Sequence, residues 1–136
     1  MYCKLRSIYA LQLLCSWTRS QAGIKAVRLI NVNHMQLTGL IAAPHTPFNS
    51  DFSLNLDCVP KQAAHLVATG VKGAFVAGTT GESLSLTTTE RIDLFHAWGE
   101  AAKESGITFI AHIGHNSLPD AQALAETAQA TGAEAI

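Results

Sequence analysis

Between residues 37 and 136, short and mainly apolar runs alternate with longer segments whose apolar side chains recur at helical spacing. The runs are 37–43, 73–77, 107–113 and 133–136. The run 73–77, Gly-Ala-Phe-Val-Ala, is unbroken, as expected of a strand buried on both faces. Strands separated by single helices pair in parallel through right-handed crossovers. The segment therefore reads strand, helix, strand, helix, strand, helix, strand, which makes it an α/β chain. Two architectures satisfy the pattern, a doubly wound open sheet and a closed barrel, and periodicity does not separate them.

The punctuation between the runs is specific. The first run ends at Pro44-His45-Thr46-Pro47, and the helix after it is expected to cap near Asp57, with Pro60 tolerated in its first turn. Val59, Ala63, Leu66 and Val67 make its apolar stripe, and Gly70 stops it. Thr87-Thr88-Thr89-Glu90 opens the second helix as a capping box, in which a hydroxyl and a carboxylate satisfy each other's backbone amides. Ile92, Leu94, Phe95, Trp98, Ala101 and Ala102 form a broad buried stripe before Gly106. Trp98 and Phe95 at this spacing read as core, not as a stacking platform. The third helix starts near Ser117, carries Pro119 in its first turn, buries Ala121, Leu124, Ala125 and Ala128, and ends at Gly132.

Length and charge bound the rest. The chain has 136 residues, 48% of them hydrophobic and 14% charged, which suits one globular unit. A complete eight-fold barrel typically needs about 250 residues. Residues 1–34 carry Lys4, Arg6, Arg19, Lys25 and Arg28 and no acid, whereas the remainder carries all ten acids. Such a split marks two segments of different origin, a basic extension over 1–34 and a folded unit over 35–136. The extension has three open readings: sequence upstream of a start at Met35, a secretory or mitochondrial targeting segment, or a structured arm. The acidic balance of the larger part argues against nucleic acid. Cys3, Cys15 and Cys58 have neither metal-ligand nor disulfide-framework spacing, so a reducing, cytoplasmic setting is expected. No apolar run approaches the roughly 18 residues a membrane span requires.

Chemistry concentrates in Gly78-Thr79-Thr80-Gly81-Glu82, just past the end of the second run. In parallel α/β folds this is the rim where strand ends and helix starts present free amides to ligands. The glycines allow a tight turn and a close backbone approach, and two adjacent threonines add two hydroxyls. That donor set suits a carboxylate, which only accepts hydrogen bonds. The plain alternative is an ordinary turn whose threonines bond local backbone. Neither the phosphate-loop nor the dinucleotide glycine pattern is present.

With its surroundings, this segment resembles the signature of the pyruvate-dependent superfamily of dihydrodipicolinate synthase and N-acetylneuraminate lyase. The matching residues are Gly39-Leu40-Ile41 leading to Thr46-Pro47-Phe48, Gly70-Val71, Ser85-Leu86, and Glu90-Arg91. Ala111-His112-Ile113-Gly114 followed by Asn116-Ser117-Leu118 is closer to the sialic-acid lyase branch than to the synthases. The resemblance covers residues 37–136 and implies a (β/α)8 TIM barrel, here its first three βα units and the start of strand four. It also implies a class I aldolase that forms a Schiff base between a strand lysine and a 2-keto acid, with pyruvate as one partner and no cofactor or metal.

By that resemblance Thr80 binds the substrate carboxylate. Thr79 contacts it too and relays protons toward tyrosines, Gly78 and Gly81 shape the loop, and Glu82 holds the loop through backbone contacts. The family's Schiff-base lysine and its catalytic and relay tyrosines correspond to nothing in this sequence. Tyr2 and Tyr9 lie in the extension, Lys61 and Lys103 on helices, and Lys72 at the amino end of the second strand. The chain alone is therefore expected to be inactive. A homotetramer is implied for complete members. A synthase-type aldolase and a non-catalytic partial barrel are the alternatives.

Other constellations are weaker. His112 and His115 are expected on opposite faces with no carboxylate beside them, so no metal site is expected. His45 reads as loop packing near the pocket mouth, and His34, His65 and His96 as surface residues.

Overall fold

The computed structural model describes residues 36–136, so the readings of the extension, Cys3, Cys15 and His34 lie outside the described residues. Three strands form one parallel sheet in sequential order: β1 (Ile41–Ala42), β2 (Gly73–Val76) and β3 (Thr108–Ala111). Three helices alternate with them: α1 (Val59–Ala68), α2 (Thr88–Ser105) and α3 (Leu118–Thr131). A fourth strand begins at the far edge, where Ala135 bridges Ile110 in parallel and the Glu134 amide donates to Phe109 O at 2.8 Å.

The winding decides between the two architectures. α1 packs on α2 and α2 on α3, so successive helices are neighbours on one face of a sheet whose strands run in order 1-2-3. A doubly wound sheet reverses direction and places helices on both faces, whereas a barrel keeps all its helices on one side. The core between sheet and helices follows from strand alternation. Ala74 and Val76 of β2 pair with Phe109 and Ala111 of β3, and all four sit in the buried cluster with Val59, Ala63, Leu94, Phe95, Trp98 and Leu124. Phe75 and Ile110, paired in register, stand outside that cluster on the opposite face.

Each strand is shorter than its apolar run. β1 covers two residues of the expected 37–43 because Gly39 is left-handed (φ 91°) and Pro44 has no amide to continue the ladder. β2 stops before Ala77, whose φ of 54° turns the chain out of the sheet. β3 ends at Ala111 instead of 113.

The helix signals hold at most ends. The Thr87–Glu90 capping box forms, with the Thr87 amide donating to Glu90 Oε2 at 2.8 Å and the Glu90 amide to Thr87 Oγ1 at 3.2 Å. Ser117 caps α3, and Gly106 and Gly132 end α2 and α3 in the left-handed conformation. Asp57 is the exception. It lies inside a 3-10 turn, Leu56–Cys58, and α1 starts from Cys58 with no side-chain cap, Pro60 in its first turn. An Asp57 cap would need the Val59 or Pro60 amide; the Val59 amide already donates to Leu56 O, and Pro60 has none. The expected stripe of α1 is also narrower: Val59 and Ala63 are fully buried, but Val67 is 40% exposed.

α2 and α3 approach closely at Gly99, where a Cβ would lie 2.5 Å from Thr131 O. No helix among the described residues is long and apolar enough to cross a membrane.

Candidate active site

The segment 77–86 leaves the carboxyl end of β2 and folds back on it through consecutive turns. The Glu82 amide donates to Thr79 O at 3.0 Å, the Ser83 amide to Gly78 O at 3.2 Å, and the Ser85 amide to Glu82 O at 2.8 Å. Two non-glycine residues, Ala77 (φ 54°) and Glu82 (φ 57°), bracket the turns in the left-handed region. Such conformations cost on the order of 1 kcal/mol each for residues with a Cβ, and persist where neighbours enforce them.

Neighbours from both flanking loops do so here. Thr46 of the β1–α1 loop is 4% exposed and donates its hydroxyl to Gly81 O at 2.7 Å. His112, just past β3, places Nδ1 2.8 Å from Ala77 O. At Gly81 a Cβ would meet Ala77 Cα at 3.0 Å, Ala77 N at 3.1 Å and Pro44 O at 3.3 Å, all backbone atoms that cannot move aside. At Gly78 a Cβ would strike the Phe75 ring at 2.7 Å. Both glycines are needed for clearance, and neither has positive φ.

The carbonyls of 77, 78, 79, 81 and 82 are thus committed to the scaffold. Thr79 and Thr80 are exposed, and among the described residues neither their amides nor their hydroxyls make a hydrogen bond. The threonines do not bond local backbone, as an ordinary turn would have them do. The loop offers a row of unused donors, which can bind an acceptor-only group such as a carboxylate. The Glu82 side chain is exposed and bonds nothing among the described residues, so this residue contributes through its amide and its backbone conformation.

The remaining candidates fall elsewhere. Lys72 immediately precedes β2 at its amino end, Lys103 is in the last turn of α2 paired with Glu100 at 2.8 Å, and Lys61 is in the first turn of α1. None stands with Thr79 and Thr80. His45 packs against α1, its carbonyl accepting from Gln62 Nε2 at 3.1 Å. An open groove of about 560 Å³ runs there, lined by His45, Phe48, Cys58, Lys61 and His65, and no residue of 77–86 contributes to it. His65 and His96 are exposed, as expected. The expectation that no carboxylate accompanies the His112–His115 pair is corrected. His115 Nδ1 lies 3.7 Å from Asp120 Oδ2, because Ser117 caps α3 and brings its first turn back over the β3–α3 loop. Among the described residues no three metal-ligating side chains converge.

Three residues that hold the site, Thr46, Arg91 and His112, carried the family resemblance in the sequence, but no role at the loop was read for them. Arg91 gives the clearest signal in hindsight, because it occupies the stripe position one turn before Leu94 and Phe95, where a charge needs partners. It is 1% exposed, donates Nη1 to Gly114 O at 2.9 Å and Nη2 to His112 O, and leaves Nε without a partner among the described residues. Burial pulls its guanidinium below the ordinary arginine range.

Comparison with known proteins places this architecture. The sequence pattern of the dihydrodipicolinate synthetase family matches residues 36–136. N-acetylneuraminate lyase of Danio rerio is 40% identical over 102 residues, covering 74% of this chain and 33% of the relative. The Homo sapiens N-acetylneuraminate lyase is 38% identical over 102 residues, covering 74% and 32%. Among solved structures, Proteus mirabilis N-acetylneuraminate lyase matches with a TM-score of 0.70 and 42% identity over 74% of this chain and 34% of that one. Dihydrodipicolinate synthase from Aquifex aeolicus matches with a TM-score of 0.67 and 29% identity over 73% and 33%. The chain spans about a third of the length of the curated relatives it matches. One-sided winding, a donor-rich loop at the strand ends and a family match over the whole described region agree: the chain belongs to the dihydrodipicolinate synthetase family and carries three βα units, with the first pairing of a fourth strand, of its TIM-barrel fold.

Proposed function

We propose that this chain supplies the carboxylate-binding half of the active site of an N-acetylneuraminate lyase-type class I aldolase, which cleaves sialic acid to N-acetylmannosamine and pyruvate. Thr80 and Thr79 bind the carboxylate of the 2-keto acid, and the Thr79 hydroxyl relays protons. Gly78, Gly81 and Glu82 keep the loop in shape. The observation that carries this reading is the pair of exposed threonines at the carboxyl rim, with carbonyls committed and donors unused. Each charge-assisted hydrogen bond to a carboxylate contributes about 1.5–3 kcal/mol, so two or three suffice to orient a small acid.

In the chemistry proposed, a lysine amine condenses with the keto carbon and releases water. As the hydroxyl beside the scissile bond gives its proton to the relay and becomes the aldehyde carbonyl, the iminium accepts the electron pair of the breaking carbon–carbon bond and becomes an enamine; protonation of that enamine and hydrolysis then release pyruvate and the lysine amine. None of Lys61, Lys72 and Lys103 stands with the threonine pair, so the 136-residue chain alone is expected not to turn over. Assembly into a homotetramer and a cytoplasmic location belong to the same reading.

The Proteus mirabilis and Aliivibrio salmonicida lyases are 42% and 41% identical to this chain, against 30% for the Mycoplasma synoviae lyase and 29% for the Aquifex aeolicus synthase; the two higher values favour the lyase branch. Borohydride reduction in the presence of pyruvate tests the chemistry. We expect no lysine adduct on this chain, and one adduct per chain on a polypeptide extended to the relatives' full length. Product analysis of that longer protein then separates lyase from synthase. Absence of any adduct on the extended protein would refute the Schiff-base reading.

A further inference from the structure

We propose that His112, locked in place by Arg91, is the positioning residue that sets the shape of the Thr79–Thr80 donor loop. The inference rests on the keto-acid reading for its functional consequence and on geometry alone for the structural one.

His112 Nδ1 lies 2.8 Å from Ala77 O and 3.4 Å from Arg91 Nη2. One ring nitrogen cannot donate to the carbonyl and accept from the guanidinium at once. The carbonyl contact is the shorter, and a carbonyl only accepts, so Nδ1 carries the proton and Nε2 is bare in the neutral ring. Arg91 Nη2 is then satisfied by His112 O, and Nη1 by Gly114 O at 2.9 Å. The guanidinium thus ties down the backbone on both sides of Ile113, immediately after β3. The ring itself is wedged. Its edge meets Phe75 in a T-shaped contact with centroids 5.8 Å apart, and a Cβ on Gly114 would lie 2.8 Å from its Nε2. The hydrogen bond to Ala77 O selects the ring orientation, because the flipped imidazole would present a C–H to that carbonyl.

Ala77 is the first residue after β2 and the hinge at which the loop leaves the sheet in a left-handed conformation. A donor aimed at its carbonyl compensates that conformation and fixes the direction in which Gly78, Thr79 and Thr80 depart. His112 does from strand three what Thr46 does from the first loop at Gly81 O, so the donor pair is held at both ends by side chains about 35 residues away in sequence.

The test uses the 136-residue chain. Long-range proton–nitrogen NMR of the histidine rings reports the tautomer directly, and the Nδ1–H form is expected for His112. The Nε2–H form would overturn the proposal whatever the variants do. His112→Asn places an amide nitrogen where Nδ1 stood, whereas His112→Gln places it where Nε2 stood. We expect His112→Gln and His112→Ala to displace the Thr79 and Thr80 amide resonances and to speed exchange of the hydrogen-bonded Glu82 and Ser83 amides about tenfold, the size of one lost hydrogen bond. His112→Asn is expected to restore both. Folded His112→Ala with unmoved Thr79 and Thr80 resonances would refute the positioning role. These readouts need no keto acid, so failure of pyruvate to bind the unmodified chain would count against the proposed function and leave the tautomer and rescue results to judge this inference.

Discussion

The two loops at the carboxyl rim spend their polar groups in opposite ways. In the β1–α1 loop, Asn49, Asp51 and Ser53 bond one another: Asn49 Nδ2 donates to Ser53 Oγ at 3.0 Å, and the Ser53 hydroxyl and amide donate to Asp51 Oδ1 at 2.7 and 3.1 Å. Its polar side chains make the turn, across which Phe48 bridges Leu54. In the 77–86 loop the turn is made by backbone and by side chains from elsewhere, and the threonines take no part. A loop that shapes itself has little left for a ligand. A loop shaped from outside keeps its own donors available, and this difference singles out the second as the site.

Substitutions can break the contrast. The largest effect is expected from Gly81→Ala, where the added methyl meets only backbone and should cost about 1–3 kcal/mol, read as a lowered urea midpoint. Thr46→Val keeps the shape but leaves Gly81 O buried without its donor. It should cost about 1–2 kcal/mol and move the Gly81 and Glu82 amide resonances. Ser53→Ala should cost about 0.5–1 kcal/mol and leave the 77–86 resonances unmoved, because the Asn49–Asp51–Ser53 bonds are internal to the first loop.

Acid sharpens the same comparison. The Ser53 hydroxyl and amide hold the Asp51 carboxyl below its usual range, and the Thr87 amide and hydroxyl hold that of Glu90 below its own. Both folded values are depressed, so these groups contribute fully above the unfolded carboxylate pKa of about 4 and lose that contribution as pH falls through the folded values. Stability should therefore decline below about pH 4. Asp51→Asn and Glu90→Gln should each flatten the decline in urea midpoint.

The smallest stability effect is expected at the functional residues themselves. Thr79→Val and Thr80→Val remove no intramolecular hydrogen bond among the described residues and should change stability by less than about 0.5 kcal/mol.

What the sequence made legible was local. Thr87 and Glu90, Ser117, Gly106 and Gly132 punctuate helices through contacts three or four residues long, and each works as expected. The rim position of Thr79 and Thr80 followed from one apolar run and one glycine pair. Strand lengths were not legible, because apolar character continues past the point where a left-handed Ala77 or a proline at 44 ends pairing. Asp57 misled because an unsuspected 3-10 turn precedes the helix. Thr46 and His112 act on the loop across 35 residues of sequence, a proximity that only parallel pairing of the strands creates.

The central claim is that Thr79 and Thr80 form a carboxylate site at the end of β2. Titrating the labelled chain with pyruvate while following backbone amide resonances tests it directly. Saturable shifts centred on residues 78–82 are expected, weakened about tenfold in Thr80→Val, the size of one lost charge-assisted bond. Shifts centred on the groove of His45, Lys61 and His65, or none at residues 78–82 at any concentration reached, would contradict it.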